Sequence, residues 1–301
     1  MTKLFAFACA VVACAAVSGA ALAQTPAANP MPDGSHDMYA GLGVVSAPRY
    51  EGAADRERSV LPVFQFQWSN GIFVSGLSAG IHVARTPQVE FGPLLEVQPG
   101  RYDGGNGDAV VGIEDTRVGL YAMPYAMPDS FAAKLPADFS MRFPENRLAG
   151  MADIHARLQA GGFLNLYLTP QWRLTSRALY GAGNERHGAR LDIGVQRLAM
   201  QVGAQHRVTL AAGATLVNRS HNAAFFGVSG AESVTSGNTM YAPAGGLKDV
   251  HLGARWNWAL APNWVLTSHA QASRLQGDAR RSPLVERPTN LTVSTAIAYR
   301  F

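Results

Sequence analysis

The side chains that could carry chemistry are few and scattered. His155, His251 and His269 lie among polar residues that alternate with apolar ones. A histidine becomes a general base when a serine and an acid stand with it, and a ligand when further His, Asp or Glu share its spacing. The chain has no H-E-x-x-H motif, no phosphate-cradling glycine loop and no metal-spaced His/Asp cluster. The expectation is a non-catalytic protein that takes no cofactor and no metal. A second set is cationic: Arg157, Arg173, Arg177, Arg190, Arg207 and Arg255 share the polar sides of their stretches with Asp153, Asp192 and Asp249. Such a set either selects anions along a pore or pairs internally to fill a narrow interior. The second is the expectation.

The elements that position these residues are extended strands, and the last one is the clearest. Leu291, Val293, Thr295, Ile297, Tyr299 and Phe301 fall on one face; Thr292, Ser294, Ala296, Ala298 and Arg300 fall on the other. A strand that is apolar on one side, polar on the other and aromatic at its end suits a wall between lipid and a lumen. A soluble β-sandwich is the alternative. Tyr299 and Phe301 together look like the C-terminal assembly signal of bacterial outer-membrane barrels.

Composition is compatible with this. Net charge is +4, charged residues make up 15%, and mean hydropathy is zero, as expected when half of every strand is polar. No basic stripe suggests nucleic-acid binding. Residues 1–23 read as a cleaved secretory signal: Lys3, an apolar run to Leu22, and Ala21-Leu22-Ala23 as the cleavage site. A membrane helix lacks a charged flank here, and a lipoprotein box at Val11-Val12-Ala13-Cys14 leaves too short an apolar stretch. Both cysteines, Cys9 and Cys14, lie in this signal, so disulfides and thiolate chemistry are excluded from the mature protein. Residues 24–37 read as a disordered periplasmic lead, and 38–301 as the barrel.

Along the chain, strands are expected at Met38–Ala47, Ser59–Trp68, Ile72–Ala84 (two short strands broken near Gly76), Gln88–Arg101, Met151–Leu168, Trp172–Gly181, and around Leu191–Gln196, Val208–Leu216, Val250–Leu260, Trp264–Ala272 and Leu291–Phe301. Pro62 suggests a bulge or strand end. Residues 102–150 form a long loop or insertion without a legible pattern. Asn218–Lys248 and Leu275–Pro288 are further long loops. Trp68, Trp172, Trp256, Trp258 and Trp264 all fall near tight turns, which places them at one rim, the periplasmic one. With the first strand running up and the last running down, parity gives an antiparallel transmembrane β-barrel of about twelve strands, ten being the alternative. Short turns face the periplasm and long loops the exterior.

Particular motifs resemble the MipA/OmpV family of outer-membrane proteins. They are Phe225-Phe226-Gly227-Val228-Ser229, Tyr241, Gly246-Leu247-Lys248-Asp249, Trp264, Ser282-Pro283-Leu284-Val285 and Ala298-Tyr299-Arg300-Phe301. Pro48-Arg49-Tyr50-Glu51-Gly52, Leu61-Pro62, Gly100-Arg101 and Gly150-Met151-Ala152-Asp153 extend the likeness over most of the mature chain. Residues 102–149 look longer than the family's usual connection. The resemblance implies an outer-membrane barrel, in contact with lipid, that acts as a scaffold linking a lytic murein transglycosylase to a penicillin-binding murein synthase. Family members linked to adhesion or stress make an adhesin or a porin-like channel the alternative. Arg49, Tyr50, Phe225 and Phe226 are the candidate loop contacts for a partner, although the aromatics could equally fold onto the rim or plug the lumen.

Overall fold

The computed structural model describes residues 36–102, 105–106 and 146–301. Fifteen strands occur among them. In chain order they are β1 (His36–Pro48), β2 (Arg56–Trp68), β3 (Ile72–Ser75), β4 (Ser78–Ile81), β5 (Ala84–Arg85), β6 (Val89–Gln98), β7 (Arg101–Tyr102) and β8 (Gly105–Asn106). After the gap come β9 (Arg157–Thr169), β10 (Trp172–Ala182), β11 (Gly188–Val202), β12 (His206–Val217), β13 (Gly246–Ala261), β14 (Trp264–Leu275) and β15 (Thr289–Arg300). Three short helices occur among the described residues, all in connections: α1 (Arg219–Phe226), α2 (Gly230–Ser236) and α3 (Gly277–Arg281). None is long and apolar enough to cross a membrane.

Twelve strands close into an antiparallel ring. β1 pairs with β15 from Tyr39↔Arg300 to Ser46↔Val293, and β4 pairs with β6 from Ser78↔Glu96 to Gly80↔Leu94. Closure leaves no open sheet edge around the ring, as a membrane-spanning sheet requires. The stretch Ile72–Ala84 supplies two short strands, so the twelve-strand count holds and the ten-strand alternative falls. The other route to twelve, through residues 110–127, lies outside the described residues and is not needed. β7 and β8 form a separate two-stranded ribbon.

The wall is inside out relative to a soluble protein. Leu42, Val60, Leu158, Leu168, Leu191, Ile193, Leu252, Leu291 and Val293 are all exposed, Val60 by 69% and Leu252 by 65%. Gln65, Glu90, Glu96, Gln159, Arg190, Asp192, Gln196, Asp249, Arg255 and His269 are buried. An apolar belt of this extent far exceeds the patches that soluble monomers expose; in a bilayer it is the lipid contact. One sector of the lumen departs from the polar rule. Tyr39, Val45, Ala47, Leu61, Val63, Ala296 and Ala298 pack together on the inner faces of β1, β2 and β15.

The two ends of the ring differ. Tight turns follow Trp68, Thr169, Val202 and Ala261, and all five tryptophans lie at that end, as their spacing predicts. His206 and the turn residue Gln205 receive the indole N–H groups of Trp256 and Trp258 at 3.3 and 3.5 Å. Short turns mark the periplasmic side of bacterial barrels.

Several sequence expectations change. β1 begins at His36, two residues before the expected strand start. Pro62 makes neither a bulge nor an end: β1 and β2 keep one register from His36↔Trp68 to Pro48↔Arg56. β3 reaches only Gln65–Gln67 on the other side of β2, so the missing N–H interrupts no described ladder there. β9 starts at Arg157 rather than Met151. The Asn184 side chain accepts from His155 N at 3.0 Å and donates to Asp153 O at 2.7 Å, taking these groups away from strand pairing. Asp153 and His155 are therefore exposed at the loop rim and do not face the lumen, while Ile154 is buried.

Candidate functional site

Three layers occupy the barrel from the loop end downward: a packed cap, an ion-pair network and a cavity. The cap is built from connections that alternation alone reads as loops. Tyr50, Ala53, Leu148, Met151, Val228 and Leu284 form one buried cluster, and Phe226, Leu275 and Ala279 another. Asn218 and Ser229 start α1 and α2 by accepting from His221 N and Glu232 N, and Glu232 completes a capping box by accepting from Ser229 N. Tyr50 donates to Leu284 O at 3.1 Å and to Glu286 Oε1 at 2.9 Å; burial, then that carboxylate, raises its phenol above the ordinary range. Arg101 donates to Phe225 O, and burial lowers its pKa to about 10. Ser282 donates to Phe226 O at 2.7 Å, and Arg147 to Pro283 O at 2.7 Å.

Of the candidate loop contacts, the aromatics take the alternative left open for them and fold into the barrel end. Tyr50 and Phe226 are buried, 4% and 1% exposed, because they hold the cap together. Phe225 is half-buried against the His221 ring, with centroids 4.8 Å apart, and Arg49 is half-buried. All four belong to the end opposite the tight turns.

Beneath the cap, alternation on β6, β10 and β11 brings charges of both signs inward. Glu96 bonds Arg177 and Arg190, each at 2.6 Å, and Asp192 lies 3.3 and 3.1 Å from the same two guanidiniums. Thr215 donates to Asp192 at 3.0 Å and bridges to Asp249 at 3.3 Å. Lys248 joins Asp249 at 3.3 Å to Glu51 of the first loop at 2.7 Å. Most of these groups are nearly inaccessible to water, so each charge depends on its partner. The expectation of internal pairing holds for Arg177 and Arg190 with Asp192, and Asp249 takes Lys248. Asp153 takes no part. Glu96 and Lys248 take part as well, beyond the arginines and aspartates expected to pair. Glu96 was legible as a lumen residue, since Glu90, Glu96 and Gln98 share a strand face. Lys248 was not, because a register shift beside Thr215 turns it inward next to Asp249.

The histidines have structural places. His251 Nδ1 lies 2.9 Å from Asp249, and its ring occupies the space over Gly213 of the next strand, where a Cβ would meet Nε2 at 2.6 Å. His269 is buried beside Gly253. Both rings thus fill space against glycines of the neighbouring strands. One pentapeptide, Gly76-Leu77-Ser78-Ala79-Gly80, does spell G-x-S-x-G. A nucleophile elbow needs a strand-to-helix turn. Here Ser78 opens the second strand of a hairpin, its hydroxyl 3.4 Å from Glu96, while His82 bonds Glu90 at 2.8 Å. The spelling is present without its geometry. Among the described residues no group of His, Cys, Asp or Glu is arranged to hold a metal ion.

The tight-turn half of the lumen holds a cavity of about 500 Å³, lined among others by Glu90, Tyr167, Arg173, Arg207 and Arg255. Of the candidate lumen charges, Arg190 lies above it in the network, and Arg157, half-buried, enters the barrel from the loop rim opposite Gln98. At the lower rim Tyr299 and Phe301 project from the outer face. Trp264, Tyr299 and Phe301 stack edge-to-face with successive centroids 5.1 Å apart, and Phe301 N donates to Met38 O at 3.0 Å.

Among solved structures, the chain is similar to a bacterial polysaccharide outer membrane secretin at 9% identity, covering 88% of this chain and 98% of that one, with a TM-score of 0.42. It is also similar to the COG4313 outer membrane channel of Pseudomonas putida F1 at 11% identity, covering 90% and 97%, with a TM-score of 0.40. For the KdgM porin in complex with disordered oligogalacturonate the figures are 6%, 89%, 99% and 0.36. No curated protein matches. The model of the family described as MltA-interacting protein MipA matches residues 40–301. With its closed, outwardly apolar twelve-strand ring, the chain belongs to that family and is an outer-membrane β-barrel.

Proposed function

We propose that this barrel is a non-catalytic scaffold of the cell envelope, holding a lytic murein transglycosylase and a penicillin-binding murein synthase together during wall remodelling. The observation that carries the reading is the family match across residues 40–301, whose description names an interaction with MltA. The geometry supports it in two ways. A network of paired charges under a packed cap stands across the loop half of the lumen, which argues against a through-channel. The histidines and the G-x-S-x-G segment are engaged structurally, which argues against an enzyme.

In this reading partners meet the periplasmic rim, because murein lies on that side. The rim comprises the tight turns and the start of β1 at His36. Arg49, Tyr50, Phe225 and Phe226 stand at the far end and serve the cap instead. Tyr299 and Phe301 serve assembly of the barrel. The test is retention from solubilised envelope on the immobilised barrel. The scaffold reading expects murein synthase and hydrolase to be retained, with no conductance in planar bilayers. A reproducible unit conductance step together with no retention of either enzyme would favour the channel.

A further inference from the structure

Among the described residues, the carboxylates of the lumen are unevenly distributed. In the loop half, Arg177, Arg190 and Lys248 each lie within 3.3 Å of a carboxylate. In the tight-turn half, the carboxylate lining the cavity is Glu90, and its oxygens are already taken by His82 at 2.8 Å, Asn165 at 3.0 Å and Tyr167 at 2.9 Å. Across the lumen stands a wall with none. β12 and β14 contain no Asp or Glu, and β13 has none below Asp249. Arg207 and Arg255 project from this wall. Thr209 pairs with Arg255 and Arg207 with Asn257, so the two arginines are diagonal neighbours on one face, about 7–8 Å apart at the backbone. Arg255 is buried, whereas Arg207 is exposed at the rim and makes no hydrogen bond or ion pair among the described residues.

Arg173 completes a basin. Its guanidinium is held by Gln196 at 2.6 Å and Tyr167 at 3.3 Å, over the Tyr167 ring at 5.9 Å from the centroid. Phe73 and Phe163, edge-to-face at 5.8 Å, supply an apolar side. Like charges gathered in a recess with few compensating carboxylates repel one another, and an entering anion relieves that repulsion. Guanidinium groups suit planar carboxylates and phosphates. The volume falls within the range of small-molecule sites, about 300–1,000 Å³.

We infer that the periplasmic half of the lumen is a blind binding site for a small organic anion, with its carboxylate or phosphate received by Arg207 and Arg255 and its apolar body against Phe73 and Phe163. The network above the cavity makes this a site for capture rather than passage, and it stands independently of the scaffold role. Calorimetric titration of the intact mature barrel in a non-ionic detergent, with benzoate, phenyl phosphate and uncharged benzyl alcohol, tests it. Benzoate and phenyl phosphate distinguish the two anionic groups; binding of at least one, weakened by added salt, is expected, and the alcohol should not bind. Arg207→Gln should weaken the anion at least tenfold and Arg207→Lys less, while Arg281→Gln on the outer loops changes nothing. A folded-barrel gel shift verifies each variant. Absence of anion binding, equal binding of the alcohol, or unchanged affinity in a folded Arg207→Gln barrel would overturn the inference.

Discussion

A buried charge inside a narrow barrel is stable only with its partner in place, and the loop half of the lumen is built on that dependence. Removing one member weakens the rest: Glu96→Ala takes from Arg177 and Arg190 the carboxylate that bonds each at 2.6 Å, and leaves them to share Asp192. A loss of roughly 3–5 kcal/mol is expected, read from urea unfolding of the barrel in lipid. His221 makes a different prediction. It is buried in the cap, and burial, then Lys248 and Arg190, holds its pKa well below the ordinary imidazole value. Below about pH 6.5 the unfolded chain takes up a proton that the folded chain refuses, so stability is full above that pH and declines below it. The decline is at most about 1.4 kcal/mol per pH unit. Thermal unfolding between pH 7.5 and 5 should show this slope in the wild type and a shallower one in His221→Gln. At this scale the sequence was half legible. Alternation put Arg190, Asp192 and Arg255 on lumen faces correctly. It could not foresee that Asn184 would hold Asp153 and His155 out of β9, since that bond joins residues about thirty positions apart.

Strands were more legible than the connections between them, for a physical reason. A wall between lipid and lumen forces a period of two on every strand, whereas a cap folds by whatever contacts its loops find. Hence α1 and α2 escaped a reading based on alternation, although Ser229 and Glu232 stand at capping-box spacing across the start of α2. The seam between β1 and β15 depends on absent side chains. A Cβ on Gly41 would lie 2.0 Å from Ile297 O and 2.6 Å from Ala298 Cα. These are backbone atoms and cannot swing away, so Gly41→Ala should obstruct closure. The expected outcome is a marked fall in the compact, heat-modifiable band on gels, with little change for Gly237→Ala in position alone, since nothing lies within 4 Å of a Cβ there. Gly237 has a positive φ of 71°, so a small backbone cost remains at that helix end. The C-terminal edge carries a kinetic prediction: Phe301→Ala should lower the yield of assembled barrel in the outer membrane, while the refolded variant keeps the same unfolding midpoint.

For the whole molecule, one inversion dominates: apolar side chains out and, outside the β1–β2–β15 sector, polar side chains in, around a closed ring. Charge on the lipid face should therefore be penalised by depth. Leu252→Arg, near the middle of β13, is expected to cost about 2–4 kcal/mol, and an arginine near either rim far less. The twelve-strand count was legible because the chain must start and finish on the same side; the split of Ile72–Ala84 then fixed the number. The most direct measurement labels β13 with single spin-bearing cysteines at each position from Val250 to Trp256 in the refolded 24–301 chain within bilayers, and records collision with oxygen and with a water-soluble nickel chelate. The account predicts oxygen maxima at Val250, Leu252, Ala254 and Trp256, with the positions between them shielded from lipid. Equal nickel access at all seven positions, or no two-residue period, would contradict it.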